Sequence, residues 1–256
     1  VTRGATPPQI EGTWTQRYAT YLRRLNAAQK PGGGVPAYMR WVNRGGARVV
    51  AAFAAAVGWT PNMVTTLSVC LSAMGLVILA SAPPSVIGGL CVGLLLALGF
   101  LFDSADGQVS RVTHASSKTG EWVDHVADAF RSPAIHLVTA VALWWHRPDM
   151  TWLALVALVY AWVTSAQFLS QILAEQFVRA AGRAQTRGGT LRSFILLPTD
   201  PGVLCWSFAL WGFAPVFAGV YTLLAVVAVL HSSVSLTRRY RDLKALDAAS
   251  RKTPHA

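Results

Sequence analysis

From residue 63 onward the chain alternates long apolar runs with short polar breaks, and the run lengths match membrane crossings. A helix needs about 20 apolar residues to traverse the hydrocarbon core. Met63 to Ala82 supplies one such run, ended by Pro83-Pro84, and Ser85 to Phe102 supplies a second. Ala129 to Trp145 is a third, lengthened by the polar residues before it, and Met150 to Leu173 is a fourth. Between Ser193 and Leu236 the only formal charge is Asp200, and the stretch holds two more spans with a break at Gly212-Phe213-Ala214-Pro215. The pattern therefore predicts an all-α integral membrane protein with six transmembrane helices. Residues 38–57 follow a different rule. Arg40, Arg44 and Arg48 recur every four residues, while Trp41, Val49, Val50 and Phe53 fall elsewhere on the helical wheel. That spacing predicts an N-terminal cytoplasmic amphipathic helix lying on the leaflet; a helix packed on the loops is the alternative. Residues 1–36, with Pro7-Pro8 and Gly32-Gly33-Gly34, read as a loosely structured arm with no apolar segment of signal-peptide type. The expected organisation is an arm over 1–36, an interfacial helix over 37–58, a six-span domain over 59–236 and a basic tail over 237–256.

Composition sharpens this picture. Hydrophobic residues make up 53% of the chain and charged residues 13%, which excludes disorder and argues against an ordinary soluble domain. The net charge of +11 would suggest nucleic acid in a soluble protein. Here it suggests basic loops against anionic lipid, with no nucleic-acid partner. Of the 22 Lys and Arg, only Arg147 falls on the far side of the six-span arrangement. The positive-inside rule then puts both termini in the cytoplasm. The Ala, Arg and Val richness suits a bacterial cytoplasmic membrane. Cys70, Cys91 and Cys205 lie in apolar runs and read as packing residues. Trp59, Trp122, Trp144, Trp145, Trp152 and Trp206 lie near span ends, as interface anchors do.

Only 11 side chains are acidic, yet Asp103, Asp106, Asp124 and Asp128 all fall at the expected cytoplasmic ends of the second and third spans. Spacings of three and four put each pair on one helix face. Either pair alone reads most simply as solvated helix-end acids. Two pairs at matched depth in an acid-poor membrane protein read as a site. Clustered carboxylates repel one another unless a cation neutralises them. Oxygen-only ligands suit Mg²⁺ or Mn²⁺, and a carboxylate-bridged pair of such ions suits phosphoryl chemistry. Gly107 lets a ligand approach the backbone, and Arg111 offers a fork for phosphate oxygens.

The run from Asp103 to Asp128 (Asp103, Asp106-Gly107, Ser110-Arg111, Gly120, Asp124, Asp128) resembles the signature of the CDP-alcohol phosphotransferase family, D-x-x-D-G-x-x-A-R-x8-G-x3-D-x3-D. Every spacing matches, and Ser110 stands where the family usually has Ala. Thr60-Pro61-Asn62-Met63-Val64-Thr65 is similar to the T-P-N-x-x-T stretch that opens the family's first span. The resemblance covers roughly residues 40–236. It implies transfer of a phospho-alcohol group from a CDP-linked donor such as CDP-diacylglycerol to a small polar or phosphorylated alcohol, with release of CMP. It implies Asp103, Asp106, Asp124 and Asp128 around two Mg²⁺ or Mn²⁺ ions, with Asp128 also the general base. It implies Asn62, Thr65, Gly107, Ser110, Arg111 and Gly120 around the CDP moiety, and a homodimer. Lys118, Arg131, Arg179, Arg183, Arg187 and Arg192 are candidates to hold the acceptor, Arg131 and Arg192 foremost, because they sit at expected helix ends. Gln167, Ser170 and Gln171 share one face of the fourth span, extended by Glu175, and line either the acceptor pocket or a helix contact. The segment from Lys30-Pro31 to Asn43-Arg44 also resembles a branch that includes di-inositol-phosphate-phosphate synthases, so the donor need not be CDP-diacylglycerol. An Mg-dependent intramembrane prenyltransferase and a divalent-cation transporter are the competing readings. The first usually has more spans and N-D-x-x-D-type motifs, which this sequence lacks; the second would need acids deeper in the bilayer and gives Gly107, Arg111 and Gly120 no role.

Overall fold

The computed structural model describes residues 11–28, 34–182 and 189–252, and it is helical throughout with no strand among them. Helix α1 (Trp14–Ala27) opens on a capping box, in which the Thr13 hydroxyl accepts from the Gln16 N–H and the Gln16 side chain accepts from the Thr13 N–H. The region read as a loose arm thus contains a helix, while Pro7-Pro8, Lys30-Pro31 and Gly32-Gly33 lie outside the described residues. A π-helical turn (Tyr38–Asn43) runs directly into α2 (Arg44–Val57), which Gly58 closes at a φ of 82°. α2 buries Ala47, Ala51, Ala52 and Ala54 to Ala56 against α1 and the next-but-one helix, α4 (Val86–Val112). Val49, Phe53 and Val57 of α2 remain exposed, as does Trp41 of the π turn.

Among the described residues, five helices are long and apolar enough to cross a membrane. Helix α3 (Pro61–Ser81) starts with Pro at its first position under a Thr60 cap. The caps of α4 (Val86–Val112) and α5 (Lys118–His146) are Ser85 and Ser117. A short 3₁₀ turn (Pro148–Met150) leads into α6 (Thr151–Ala180), and α9 (Ala214–Lys252) runs unbroken into the basic tail as far as Lys252. The expected fifth span is not among the five. Residues 190–210 form α7 (Thr190–Ile195), a 3₁₀ turn (Leu197–Thr199), α8 (Pro201–Ser207) and a second 3₁₀ turn (Phe208–Leu210). Pro198 and Pro201 lack the N–H that a continuous helix needs.

What holds this broken segment is Asp200, 1% exposed. Its carboxylate accepts from the Gly202 N–H (2.9 Å) and from the Met39 N–H (2.8 Å). One side chain therefore caps α8 and fastens it to the π turn. Around it, Trp206 Nε1 donates to Tyr38 Oη (2.9 Å), Arg40 donates to Ser193 Oγ (3.2 Å), and the Trp41 and Phe194 rings lie 5.1 Å apart. Gly202 is required here, because a Cβ would overlap the Tyr38 ring.

The main apolar core joins α3, α4, α5, α6, α8 and α9, centred on Phe208, Phe217 and Tyr221. His136 is fully buried within it, bonded through Nδ1 to Tyr221 Oη (2.7 Å) and stacked on Tyr160. A second core lies at one end of the bundle. There Tyr21, Leu25 and the α2 alanines pack on Ala105, Val109 and Val112 of α4. α3 packs along both α4 and α5, and its small residues allow close approach: a Cβ on Gly99 would overlap Ser72 Oγ.

Candidate active site

The second core backs the end of α4 that carries Asp103 and Asp106. Asn43 Nδ2 donates to the Phe100 carbonyl (3.3 Å) and to Ser104 Oγ, and Gln108 Nε2 donates to the Arg44 carbonyl (3.3 Å). The π turn and α2 thereby clamp this end of α4 at two points. A five-residue connection then turns the chain into α5; His114 adopts φ 55°, and Ala115 N–H donates to the Ser110 carbonyl (3.0 Å). At a helical rise of 1.5 Å per residue, Asp103 lies about 26 Å from the start of α4 and Asp128 about 27 Å from the end of α5. Both distances approach the thickness of a hydrocarbon core, and both acids lie toward the same end of the bundle.

Three of the four expected acids converge. Asp103, Asp106 and Asp124 each bring a carboxylate oxygen within 4.8 Å of the others. Asp106 is buried, and its Oδ2 accepts from Thr65 Oγ1 at 2.6 Å. Asp128 stands one turn further along α5 and joins the group through Arg131. Nη1 of Arg131 lies 2.7 Å from Asp103 Oδ1 and 3.2 Å from Asp128 Oδ1. Its Nη2 donates to Ser68 Oγ (2.6 Å), which in turn donates to the Gly99 carbonyl (2.8 Å). Three carboxylates this close, half-buried, are a donor set for a hard divalent cation. The residues present fit such an ion.

The residues expected around a nucleotide gather at the same end. Asn62 of α3 lies beside Gly120 in the first turn of α5; a Cβ on Gly120 would stand 3.7 Å from Asn62 Oδ1. A Cβ on Gly107 would stand 3.4 Å from Arg111 Nη1, so the glycine leaves the guanidinium room to lie along the helix. Ser110, the one departure from the motif, has a partner in Ser116 of the connection (Oγ to Oγ 2.9 Å). Thr65 serves Asp106 directly. Arg111 lies within electrostatic reach of Asp106 and of Arg44. Burial first, and then Arg40, holds the Arg44 guanidinium below its ordinary value. A string of cations thus runs from the π turn toward the acids.

The acceptor candidates scatter. Lys118 is exposed at the start of α5. Arg179 pairs with Glu121 (2.8 Å), and His125 also turns toward Glu121 (3.8 Å). Gln167 donates to Ser235 of α9 (3.3 Å), a helix-to-helix contact, while Gln171 donates to Glu175 (3.2 Å). Arg192 is exposed on α7 and shares the surroundings of His231 with Arg238 and Arg239 of α9. Arg183 and Arg187 lie outside the described residues. Sequence reasoning missed Ser68, Asn43 and Asp200. Ser68 had a signal, since Thr65, Ser68, Ser72 and Gly75 form a stripe of small residues along α3.

These features define a helical membrane protein with a carboxylate group suited to a divalent cation at one end of its bundle. A family model described as CDP-alcohol phosphatidyltransferase matches residues 58–233, well over half of the chain, and the chain belongs to that family. It is therefore a transferase of phosphorus-containing groups, in a family that uses a divalent metal and a CDP-linked alcohol donor. No curated protein matches the chain. The family match displaces the prenyltransferase and transporter readings.

Proposed function

We propose that this protein transfers a phosphatidyl group from CDP-diacylglycerol, or a closely similar CDP-linked donor, to the hydroxyl of a small polar or phosphorylated alcohol. The observation that carries the reading is the convergence of Asp103, Asp106 and Asp124 from two helix ends, with Arg111 within electrostatic reach of Asp106. Asn62, Thr65, Gly107, Ser110, Arg111 and Gly120 surround the cytidine diphosphate. Arg111 takes the diphosphate oxygens as a planar fork. Mg²⁺ or Mn²⁺ on the Asp group, one ion or two, supplies neutralisation of the diphosphate and of the charge on departing CMP. Asp128, 30% exposed, accepts the proton of the acceptor hydroxyl as that oxygen bonds to the lipid-side phosphorus. The bond from that phosphorus to the bridging oxygen breaks, and CMP leaves with its electron pair. Lys118, Gln171 and Arg192 line the approach of the acceptor.

The topology belongs to the same proposal. Residues 190–210 cross as a broken sixth span, tolerable because irregular backbone at membrane depth is buried in protein around Asp200. α2 lies on the cytoplasmic leaflet of a bacterial membrane, with Trp41, Val49 and Phe53 toward lipid. Both termini and the Asp group face the cytoplasm. A homodimer follows from the family resemblance.

The test is CMP release from CDP-diacylglycerol by the purified protein with Mg²⁺ or Mn²⁺, across glycerol 3-phosphate, inositol 1-phosphate, inositol, serine and water. Release with one acceptor, reduced at least about 100-fold in Asp128→Asn, is expected for loss of a general base. Metal-dependent CDP binding without release from this donor would move the donor to another CDP-linked alcohol.

A further inference from the structure

The Arg131 guanidinium is committed within the protein. Its side chain is only 10% exposed. One nitrogen lies against both Asp103 and Asp128, and another donates to Ser68. Nε is buried and has no partner. A fully ionised guanidinium cannot titrate away, and it carries no acceptor atom. An incoming anionic alcohol would have to displace two carboxylates to reach it. Asp103, meanwhile, belongs to two sets at once: the converging carboxylates and the Arg131 pair.

We propose that Arg131 is a positioning residue, a built-in cation that competes with the divalent ion for Asp103 and ties Asp128 to the metal group through the Asp103–Arg131–Asp128 bridge. This rests on the reading of the Asp group as a cation site. The bridge explains how Asp128, outside the converging three, keeps a fixed position beside them. It also links the site to α3, because Ser68 anchors the guanidinium and is itself anchored on the Gly99 carbonyl. The consequence has a sign. Removing the Arg131 charge frees Asp103 and raises the negative charge of the group, so a divalent ion binds more tightly while turnover falls.

The experiment is a Mn²⁺ titration of the full-length protein in nanodiscs without substrate, read by electron paramagnetic resonance. Arg131→Gln is expected to bind Mn²⁺ about tenfold more tightly, a change of about 1.4 kcal/mol. Arg131→Lys keeps the charge and stays near wild type. Ser68→Ala loosens the guanidinium and shifts affinity in the same direction by a smaller factor, which keeps the test open should Arg131→Gln fail to fold. CMP release by the same variants should show a fall in kcat with the acceptor KM little changed. Equal Mn²⁺ affinity in wild type and all variants would overturn the role of Arg131 while leaving the cation site standing, as would a raised acceptor KM at unchanged kcat. Absence of Mn²⁺ binding by the wild type would remove the cation reading itself, and this inference with it.

Discussion

Thr65 and Arg131 do opposite jobs for neighbouring acids. Thr65 gives a neutral hydrogen bond to the buried Asp106, whereas Arg131 brings a full charge to Asp103 and Asp128. A buried carboxylate oxygen that loses its donor keeps its desolvation penalty without the compensating bond. Thr65→Val should therefore cost about 1–3 kcal/mol of stability in metal-free protein. Thr65→Ser should restore most of it. Thermal unfolding in detergent with chelator, followed by tryptophan fluorescence, checks this. Added Mn²⁺ should narrow the gap between variant and wild type only if Asp106 contributes an oxygen to the ion. The residues in the motif were legible from spacing, because a helix turns i and i+3 onto one face regardless of what surrounds it. The partners were not. Ser68 stands 63 positions from Arg131, and Met39 stands 161 from Asp200, so no local pattern joins them.

At the scale of elements, α3 and α4 approach closely one turn from Asp103. Gly99 leaves no space for a methyl group beside Ser72. Gly99→Ala should destabilise the protein by about 1–3 kcal/mol through overpacking. Ser72→Gly combined with Gly99→Ala should recover much of that loss, a coupling that a double-mutant cycle of unfolding midpoints measures. The five long helices were readable from run length and bounding prolines. The fate of residues 190–210 was not, since apolar content alone cannot say whether a run stays continuous; Pro198 and Pro201 decided it, with Asp200 satisfying the backbone they interrupt. Helix α1 had a local signal, Thr13 followed three residues later by Gln16, which the flanking proline and glycine runs outweighed in the reading of the arm.

For the whole molecule, the number of crossings decides where the ends lie. Five crossings put the termini on opposite sides of the membrane; a broken sixth puts them on the same side. In a Cys-free background, Arg23→Cys and Lys244→Cys should both react with a membrane-impermeant maleimide added to inverted vesicles, and neither in intact cells. Labelling from opposite sides would remove residues 190–210 as a crossing.

The division between the two cores has a further consequence. Asp103, Asp106 and Arg111 sit on a stretch of α4 stiffened from behind by α2, while Arg192 sits on α7 and its neighbours Arg238 and Arg239 on α9. The stretch of α4 behind the Asp group and this cationic rim therefore rest on separate pieces of chain. On the proposed function, Arg192, Arg238 and Arg239 can be replaced charge by charge while the packing behind Asp103 and Asp106 is left as it stands. On the same proposal, α7 and the neighbouring face of α9 are a place to alter when a new acceptor is wanted.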